Sequence, residues 1–150
     1  MTDSTLNFWT PCWVCRVIDG EPVGDVVAET HDVLVLLNPF PLSDGHALVV
    51  PREHIENIYD LPEEMAGPLL TMAARVARAA KRAFAADGIT LRQNNEAASD
   101  QHLFHFHLHV IPRLVGDDER FATAPTLADR DLQRASASRL REALAPQDAR

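Results

Sequence analysis

Three histidines recur at every second residue in one short segment of the sequence. His105, His107 and His109 alternate with apolar residues between Leu103 and Ile111. Such alternation predicts a β-strand, in which residues two apart share a face with their Cα atoms about 6.5–7 Å apart. A solvated strand face is the plain alternative. Histidine has no special preference for strands, so three on one face indicate a functional site.

Two chemistries suit three neighbouring imidazoles. The rings could bind one metal ion together. Alternatively, one neutral imidazole could act as a nucleophile, because holding one ring nitrogen as N–H leaves the other free. A neighbouring histidine could then donate to a phosphoryl oxygen as negative charge builds there. The spacing alone leaves both chemistries open.

The cysteines of the chain, Cys12 and Cys15, form a C-x-x-C pattern. A disulfide between them is disfavoured in a cytoplasmic protein. Half of a metal site, a redox pair and two buried free thiols are the remaining interpretations. A redox pair of the thioredoxin kind accompanies a βαβ pattern, and the sequence around these cysteines does not have one.

The composition limits the class of protein and its partners. The chain has 150 residues, enough for one domain, and 46% of them are hydrophobic. A formal net charge of −8 argues against a nucleic acid polymer as partner, since phosphate binding needs a basic surface. A small anionic substrate remains possible. No apolar run approaches the roughly 20 residues that cross a bilayer, so we expect no membrane partner.

We expect a single domain over residues 1–150, located in the cytoplasm. The first residues carry no basic region and no apolar stretch of the signal type, so residues 1–8 are predicted to be a flexible leader. Residues 146–150 are predicted to form a frayed tail.

Apolar spacing and turn residues predict the elements that hold these side chains. A long helix is predicted over Pro62–Ala86, with Asp60 as its cap and Gly88 as its stop. A weaker helical pattern covers Asp129–Leu144. The predicted strands are Asp25–Glu29, Asp32–Asn38, His46–Val50, Ile89–Gln93 and Leu103–Ile111. Most strand connections are too short for crossover helices, so the predicted fold is α+β with a mostly antiparallel sheet.

The triad is part of a longer pattern that resembles the histidine-triad family of nucleotide hydrolases and transferases, in its bacterial zinc-containing type. Histidines alternating with apolar residues are the signature of that family. Gln101 stands four residues before the first triad histidine, as in the family, and Pro112-Arg113 follows the triad, as in many bacterial members. Leu37–Pro51 and Asn94–Ala98 are similar to family segments upstream of the triad. The resemblance covers about residues 12 to 113.

The resemblance implies a role for each candidate residue. His107 is then the nucleophile that attacks the α-phosphorus of a purine nucleotide, which could be a phosphoramidate, an adenylate or a dinucleoside polyphosphate. A nucleotidyl-histidine forms, and water resolves it. His109 stabilises the phosphoryl charge and contacts the nucleotide, and Gln101 contacts the phosphate or the leaving group. Asn38 takes a ribose-contacting position, and Asn95 that of an amide near the phosphates.

The resemblance also implies a metal, a fold and a partner. Cys12, Cys15, His54 and His105 would hold a structural zinc, as two thiolates and two imidazoles make a tetrahedral set. No metal is required for the chemistry. The implied fold is a mostly antiparallel sheet of about five strands with one long packed helix and a C-terminal helix. Family members commonly form homodimers, so a homodimer is expected.

Other residues leave alternatives open. Asp100 stands where many relatives have a glycine that lets the backbone approach phosphates. This departure keeps a nucleotide-binding or protein-interaction module without turnover as one hypothesis. A metal-dependent hydrolase with the whole triad as ligands is another. His102 is predicted to lie on the opposite strand face from the triad, and His46 is interpreted as structural. Leu34 and Leu36 could wall a base pocket.

Overall fold

The computed structural model describes residues 9–118 and 124–146 of the chain. The predicted leader at 1–8 lies outside the described residues, and so does the predicted tail beyond residue 146. Within the described ranges, no helix combines the length and the apolar character needed to span a membrane.

The described residues form one antiparallel sheet with helices around it. The strands are β1 (Val26–Glu29), β2 (Val33–Leu37), β3 (Ala47–Pro51), β4 (Gly88–Arg92) and β5 (Leu108–Arg113). The helices are α1 (Trp13–Ile18), α2 (Glu63–Ala83) and α3 (Arg130–Leu144), and short 3-10 helices cover Ile58–Asp60 and Ala97–Ser99. The five strands lie in the order β1-β2-β3-β5-β4, and every neighbouring pair is antiparallel. The predicted α+β fold is confirmed.

Both faces of the central strands are covered, each by a different part of the chain. Successive strand residues point to opposite faces. Val33 and Val35 of β2 therefore pack in the core formed with α2 and α3, whereas Leu34 and Leu36 pack in a second core with Trp13 of α1. This double cover explains why every residue of β2 and β3 is buried. Leu34 and Leu36 lie within the second core and do not line the cavity described below.

The long helix α2 is shorter than predicted at both ends. Asp60 lies in a 3-10 helix and does not cap α2, whose N-cap is Pro62 without a side-chain bond. Two glutamates in its first turn instead interact favourably with the positive end of the helix dipole. After the helix, Ala85 itself adopts a positive φ of 49°. Gly88 is therefore not the stop and begins β4.

The last strand begins later than its alternation predicts. β5 starts at Leu108, so the prediction of a strand from Leu103 is wrong for the first part of that segment. In the register of β5 with β3, Val49 pairs with Leu108, and no earlier residue of the segment joins the sheet. The N–H of Phe106 instead donates to the oxygen of Ile55, at 2.6 Å, in the loop after β3. The alternation before Leu108 thus reflects burial against a loop and not hydrogen bonding to a neighbouring strand.

The sequence predicted that the triad shares one strand face. The structure shows that it does not. His109 lies on β5, whereas His105 and His107 lie in the irregular segment before it. All three are buried. Tertiary contacts of each ring, rather than the pleat of a strand, therefore fix their relative positions.

Candidate functional site

A cavity of about 390 Å³ opens on the face of the sheet opposite α2 and α3. Its apolar lining includes Trp9, Phe40, Leu42, Leu48 and Leu103. Its polar lining consists of Asn38, His46, Arg92, Asn94, Asp100, His102, His107 and His109. Two of the triad histidines thus share one cavity with an apolar wall and several hydrogen-bonding groups.

The ring of His107 is oriented by the backbone of its own segment. Its Nδ1 lies 2.7 Å from the oxygen of His105. A carbonyl oxygen can only accept, so Nδ1 carries the proton and donates. Nε2 of His107 makes no hydrogen bond to the described residues. Every fully buried side-chain nitrogen or oxygen among the described residues has a partner, so this atom must be accessible, and His107 lines the cavity. An unprotonated nitrogen facing a cavity suits a nucleophile.

A chain of hydrogen bonds orients His109 in the opposite sense. The backbone N–H of Leu42 donates to Nδ1 of His46 over 3.0 Å. Nε2 of His46 therefore carries the proton and donates to Nδ1 of His109 over 2.8 Å. The proton of the neutral His109 ring is then on Nε2. The lone pair of His107 and the N–H of His109 are accordingly both available to a ligand in the cavity. The centroids of the two rings are 4.8 Å apart.

Three of the cavity histidines, His46, His107 and His109, are neutral at pH 7. Burial lowers the pKa of His46 from 6.5 to about 3, and burial also lowers the pKa of His107 and of His109. The positive charge of Arg92 lowers the pKa of all three further. Neutrality matters most at His107, because a protonated ring has no lone pair with which to attack phosphorus.

The four predicted metal ligands come together beside this cavity. The ligand atoms of Cys12, Cys15, His54 and His105 all lie within 4.8 Å of one another. The Nδ1 atoms of His54 and His105 are 3.2 Å apart, and Sγ of Cys12 lies 3.5 Å from Nδ1 of His105. Tetrahedral zinc, with bonds of about 2.0–2.1 Å to nitrogen and about 2.3 Å to sulfur, places two nitrogens about 3.3 Å apart and nitrogen and sulfur about 3.6 Å apart. The donor set and its spacing therefore fit zinc.

Backbone contacts aim these ligands at a common point and connect them to the cavity. Cys12 is the N-cap of α1, and its Sγ accepts the N–H of Cys15. Nε2 of His105 lies 2.7 Å from the oxygen of Pro51, so Nε2 donates and Nδ1 is free for a metal. The oxygen of His105 is also the acceptor that orients His107. His105 therefore belongs to the cluster of candidate metal ligands and also orients the ring of His107.

The triad histidines lie in two different surroundings. The metal-ligand cluster found in residues 9–118 and 124–146 contains His105 but neither His107 nor His109. Nδ1 of His107 and Nδ1 of His109 both point to protein partners. The hypothesis that all three histidines bind one metal gains no support from this arrangement.

Two predicted nucleotide-binding residues make their bonds within the protein. The side chain of Gln101 is buried, and its Oε1 accepts the N–H of Glu96. Its Nε2 donates to the backbone oxygens of Glu56 and Leu103. Oδ1 of Asn95 accepts an N–H from the 3-10 helix after β3. Neither side chain is among those that line the cavity, so both hold the surrounding loops in place.

The other predicted nucleotide-binding residues, Asn38 and His109, do line the cavity. The asparagine that lines the cavity is Asn94, whereas Asn95 was predicted to be the amide near the phosphates. Residue type alone could not distinguish two adjacent asparagines. His102 lines the cavity too, so its predicted place on the far face is wrong. That prediction relied on a strand that starts only after the triad's first two histidines.

Sequence reasoning assigned no role to two further lining residues. Arg92, the last residue of β4, is the Cα partner of His109 on β5. The strand pattern suggested both strands but could not give the register that makes these residues neighbours. Trp9 lies next to the predicted leader, and its ring is 5.5 Å from those of Trp13 and Phe40. The concentration of aromatic residues near the N-terminus was the available signal.

Asp100 adopts a left-handed backbone at the position where the family resemblance implied a glycine. Its φ is 61°, in the left-handed region, and Glu96 has a φ of 71°. Glycine adopts such a conformation freely, and aspartate tolerates it better than most residues. Asp100 can therefore form this turn, and it also lines the cavity as a carboxylate residue.

Comparison with known proteins gives matches along most of the chain. A family model described as the HIT domain matches residues 19–115. An uncharacterised HIT-like protein of Mycobacterium tuberculosis is 38% identical over 140 residues, covering 93% of this chain and 96% of that protein. An adenylylsulfatase of Arabidopsis thaliana is 33% identical over 110 residues, covering 73% of this chain and 55% of that protein.

Solved structures show the same fold. A zinc-bound histidine triad family protein from Mycobacterium smegmatis is 33% identical, with a TM-score of 0.77 over 90% of this chain and 94% of that one. A hypothetical histidine triad nucleotide-binding protein from Sulfolobus tokodaii is 30% identical, with a TM-score of 0.80 over 89% of this chain and 91% of that one. The likeness therefore concerns the whole fold and not the triad alone.

Proposed function

This chain belongs to the histidine-triad family of nucleotide hydrolases and transferases, and from this premise we propose that it cleaves purine nucleotides at the α-phosphorus with His107 as nucleophile. The observation that carries the proposal is the hydrogen bond from Nδ1 of His107 to the oxygen of His105. This bond leaves the lone pair of Nε2 free, and burial keeps the ring neutral. A ring in that state can attack phosphorus at pH 7.

The proposed reaction has two displacements at phosphorus. Nε2 of His107 forms a bond to the α-phosphorus, and the leaving group departs with the electron pair of the bond that breaks. The Nε2–H of His109 donates to a phosphoryl oxygen as negative charge develops there. A water molecule then attacks the same phosphorus, the bond to His107 breaks, and a nucleoside monophosphate is released. The proton lost by water balances the one taken up by the leaving group.

The apolar part of the cavity is suited to the nucleoside. Trp9, Phe40 and Leu48 provide flat or aliphatic surface for a base, and the amide of Asn38 lies at the same wall. Aromatic surfaces bind bases by stacking. A nucleoside held there presents its phosphorus to His107, so position rather than metal chemistry brings the reacting atoms together.

We also propose that Cys12, Cys15, His54 and His105 hold a structural zinc ion. Four protein ligands close the coordination shell, so the ion supplies stability to the fold and no open position for substrate. The spacing of the ligand atoms supports zinc, and the similar protein from Mycobacterium smegmatis is zinc-bound. Binding would tie α1 to His105 and hence to the carbonyl that orients His107.

The leaving group and the assembly belong to the same proposal. The Arabidopsis relative is an adenylylsulfatase, which supports adenylyl anhydrides as candidate substrates beside phosphoramidates and dinucleoside polyphosphates. The homodimer implied by the resemblance stays a prediction. So does the alternative of a binding module without turnover, for which the carboxylate of Asp100 in the cavity wall is the specific reason.

The direct test compares the wild type with His107→Asn. Hydrolysis of adenosine 5′-phosphoramidate and of diadenosine tetraphosphate would be measured without added metal, and zinc content would be measured for both proteins. We expect turnover by the wild type, a loss of about four orders of magnitude in the variant, and equal zinc in both. A wild type that binds AMP but is as inactive as the variant would favour the binding module.

A further inference from the structure

The cavity has two distinct sides, which the sheet register defines. Leu48 of β3 is the Cα partner of His109, and Arg92 of β4 is its partner on the other side. Directly opposed residues of antiparallel strands point to the same face. Adjacent strands are about 4.8 Å apart, so Leu48 and Arg92 lie roughly 10 Å apart with His109 between them. The cavity therefore runs from an apolar side over β3 to a cationic side over β4.

A substrate can occupy this cavity productively in only one direction. Its phosphorus has to reach His107 and His109, and the apolar side formed with Trp9 and Phe40 takes the nucleoside. The part of the substrate beyond the phosphorus is then left for the side of Arg92. In a phosphoryl transfer that part is the leaving group.

The side chain of Arg92 is available for such a contact. Among the residues that the structure describes, none forms an ion pair or a hydrogen bond with it, and it is exposed. The other charged group in the lining is Asp100, which is not paired with it. A guanidinium that faces a cavity and has no protein partner can bind phosphate oxygens through two parallel N–H bonds.

We infer that Arg92 is a specificity-determining residue that binds the negative charge of the leaving group. The enzyme accordingly favours leaving groups that carry phosphate over neutral amines. Asp100 has the opposite effect, because its carboxylate repels the same group. This inference rests on the proposed function, and it adds a residue that selects substrates by the charge of their leaving group.

The test uses two substrates that share a nucleoside and differ in the leaving group. At its α-phosphorus, diadenosine tetraphosphate loses ATP, whose triphosphate is highly charged, whereas adenosine 5′-phosphoramidate loses ammonia. The measured quantity is the kcat/KM for diadenosine tetraphosphate divided by that for adenosine 5′-phosphoramidate. We expect Arg92→Gln to lower this ratio by about ten- to a hundredfold, which is the range for losing a charge-assisted hydrogen bond. Arg92→Lys should restore part of the ratio, since it keeps the charge but not the paired donors.

Two further variants make the result specific. Arg75→Gln removes an exposed arginine from α2, on the opposite face of the sheet, and should leave the ratio unchanged. Asp100→Asn should raise the ratio several-fold, because it removes the repulsion, and asparagine tolerates the left-handed backbone. An unchanged ratio in Arg92→Gln, or an equal fall for both substrates, would overturn the inference.

A binding measurement separates this inference from the proposed function. In protein carrying His107→Asn, titration calorimetry with AMP and ATP would report binding without turnover. We expect the added Arg92→Gln to weaken ATP about tenfold more than AMP. If the wild type hydrolyses neither substrate, the proposed function fails while the calorimetry still tests Arg92. If it hydrolyses both and Arg92→Gln weakens ATP no more than AMP, the inference about Arg92 fails alone.

Discussion

His46 donates a hydrogen bond from Nε2 to Nδ1 of His109 over 2.8 Å, joining the residue before β3 to a residue of β5. The other ring nitrogen of His46 accepts the N–H of Leu42. The direction of both bonds is thereby fixed, and His109 keeps its proton on Nε2. His46, interpreted from sequence as structural, is thus a positioning residue for His109, the proposed hydrogen-bond donor to the phosphoryl oxygen.

Removing that contact should lower turnover more than substrate binding. We expect His46→Leu to reduce kcat about tenfold to a hundredfold, somewhat less than the roughly 10²–10³ lost with a direct oxyanion donor, with little change in KM. His46→Gln should retain more activity, since an amide can both accept from Leu42 and donate to His109. Steady-state kinetics of the three proteins provides the check. Equal losses in the two variants would argue against a role through hydrogen bonding.

Burial of His46 should make the protein less stable in acid. Its pKa is lowered from 6.5 to about 3, so between these values the unfolded chain takes up a proton that the folded protein does not. The free energy of unfolding attributable to this group is therefore full above pH 6.5 and falls by about 1.4 kcal/mol per pH unit below it. Urea denaturation at pH 7.5 and pH 5 would measure the fall. His46→Gln should show a shallower dependence, and identical slopes would contradict the assignment.

Loss of the metal should affect both stability and activity. We expect Cys15→Ser to lower the zinc content from about one per chain to a small fraction, to lower Tm by about 10 °C or more, and to reduce kcat. The reduction in kcat follows because His105 carries the carbonyl that orients His107. Elemental analysis and thermal unfolding would measure these changes. His31→Ala, which removes an almost fully exposed histidine, should keep its zinc and Tm. Full stability of the wild type after chelation would count against a structural metal.

Gln101 offers a test between a structural role and a substrate contact. Its side chain makes three hydrogen bonds to backbone groups and is 2% exposed. We expect Gln101→Leu to lower the free energy of unfolding by about 1–3 kcal/mol, because three backbone groups lose their partner and the oxygen of Leu103 loses it in a buried position. Urea denaturation and KM would be measured together. A raised KM at unchanged stability would instead support the phosphate contact implied by the family resemblance.

Composition and local pattern determined a good deal about this protein. Apolar runs and helical spacing predicted the five strands and both long helices. Burial of one face of a helix or strand makes apolar residues recur at a regular interval, and this interval is visible in the sequence. Residue type pointed to the chemistry, since histidines and cysteines are scarce and their spacing is distinctive. The sequence resemblance named Cys12, Cys15, His54 and His105 as a set, and their ligand atoms lie within 4.8 Å of one another.

The tertiary structure alone decided how those residues face one another. Alternation predicted one strand carrying the whole triad, but the pairing of β5 with β3 starts at Leu108, and the N–H of Phe106 bonds Ile55 in the loop after β3 instead. Register, which no local pattern specifies, placed Arg92 opposite His109. The proton positions followed from contacts between segments distant in sequence, such as His46 with His109. The sequence therefore determined which groups are present, whereas long-range pairing determined which nitrogen, and which charge, faces the cavity.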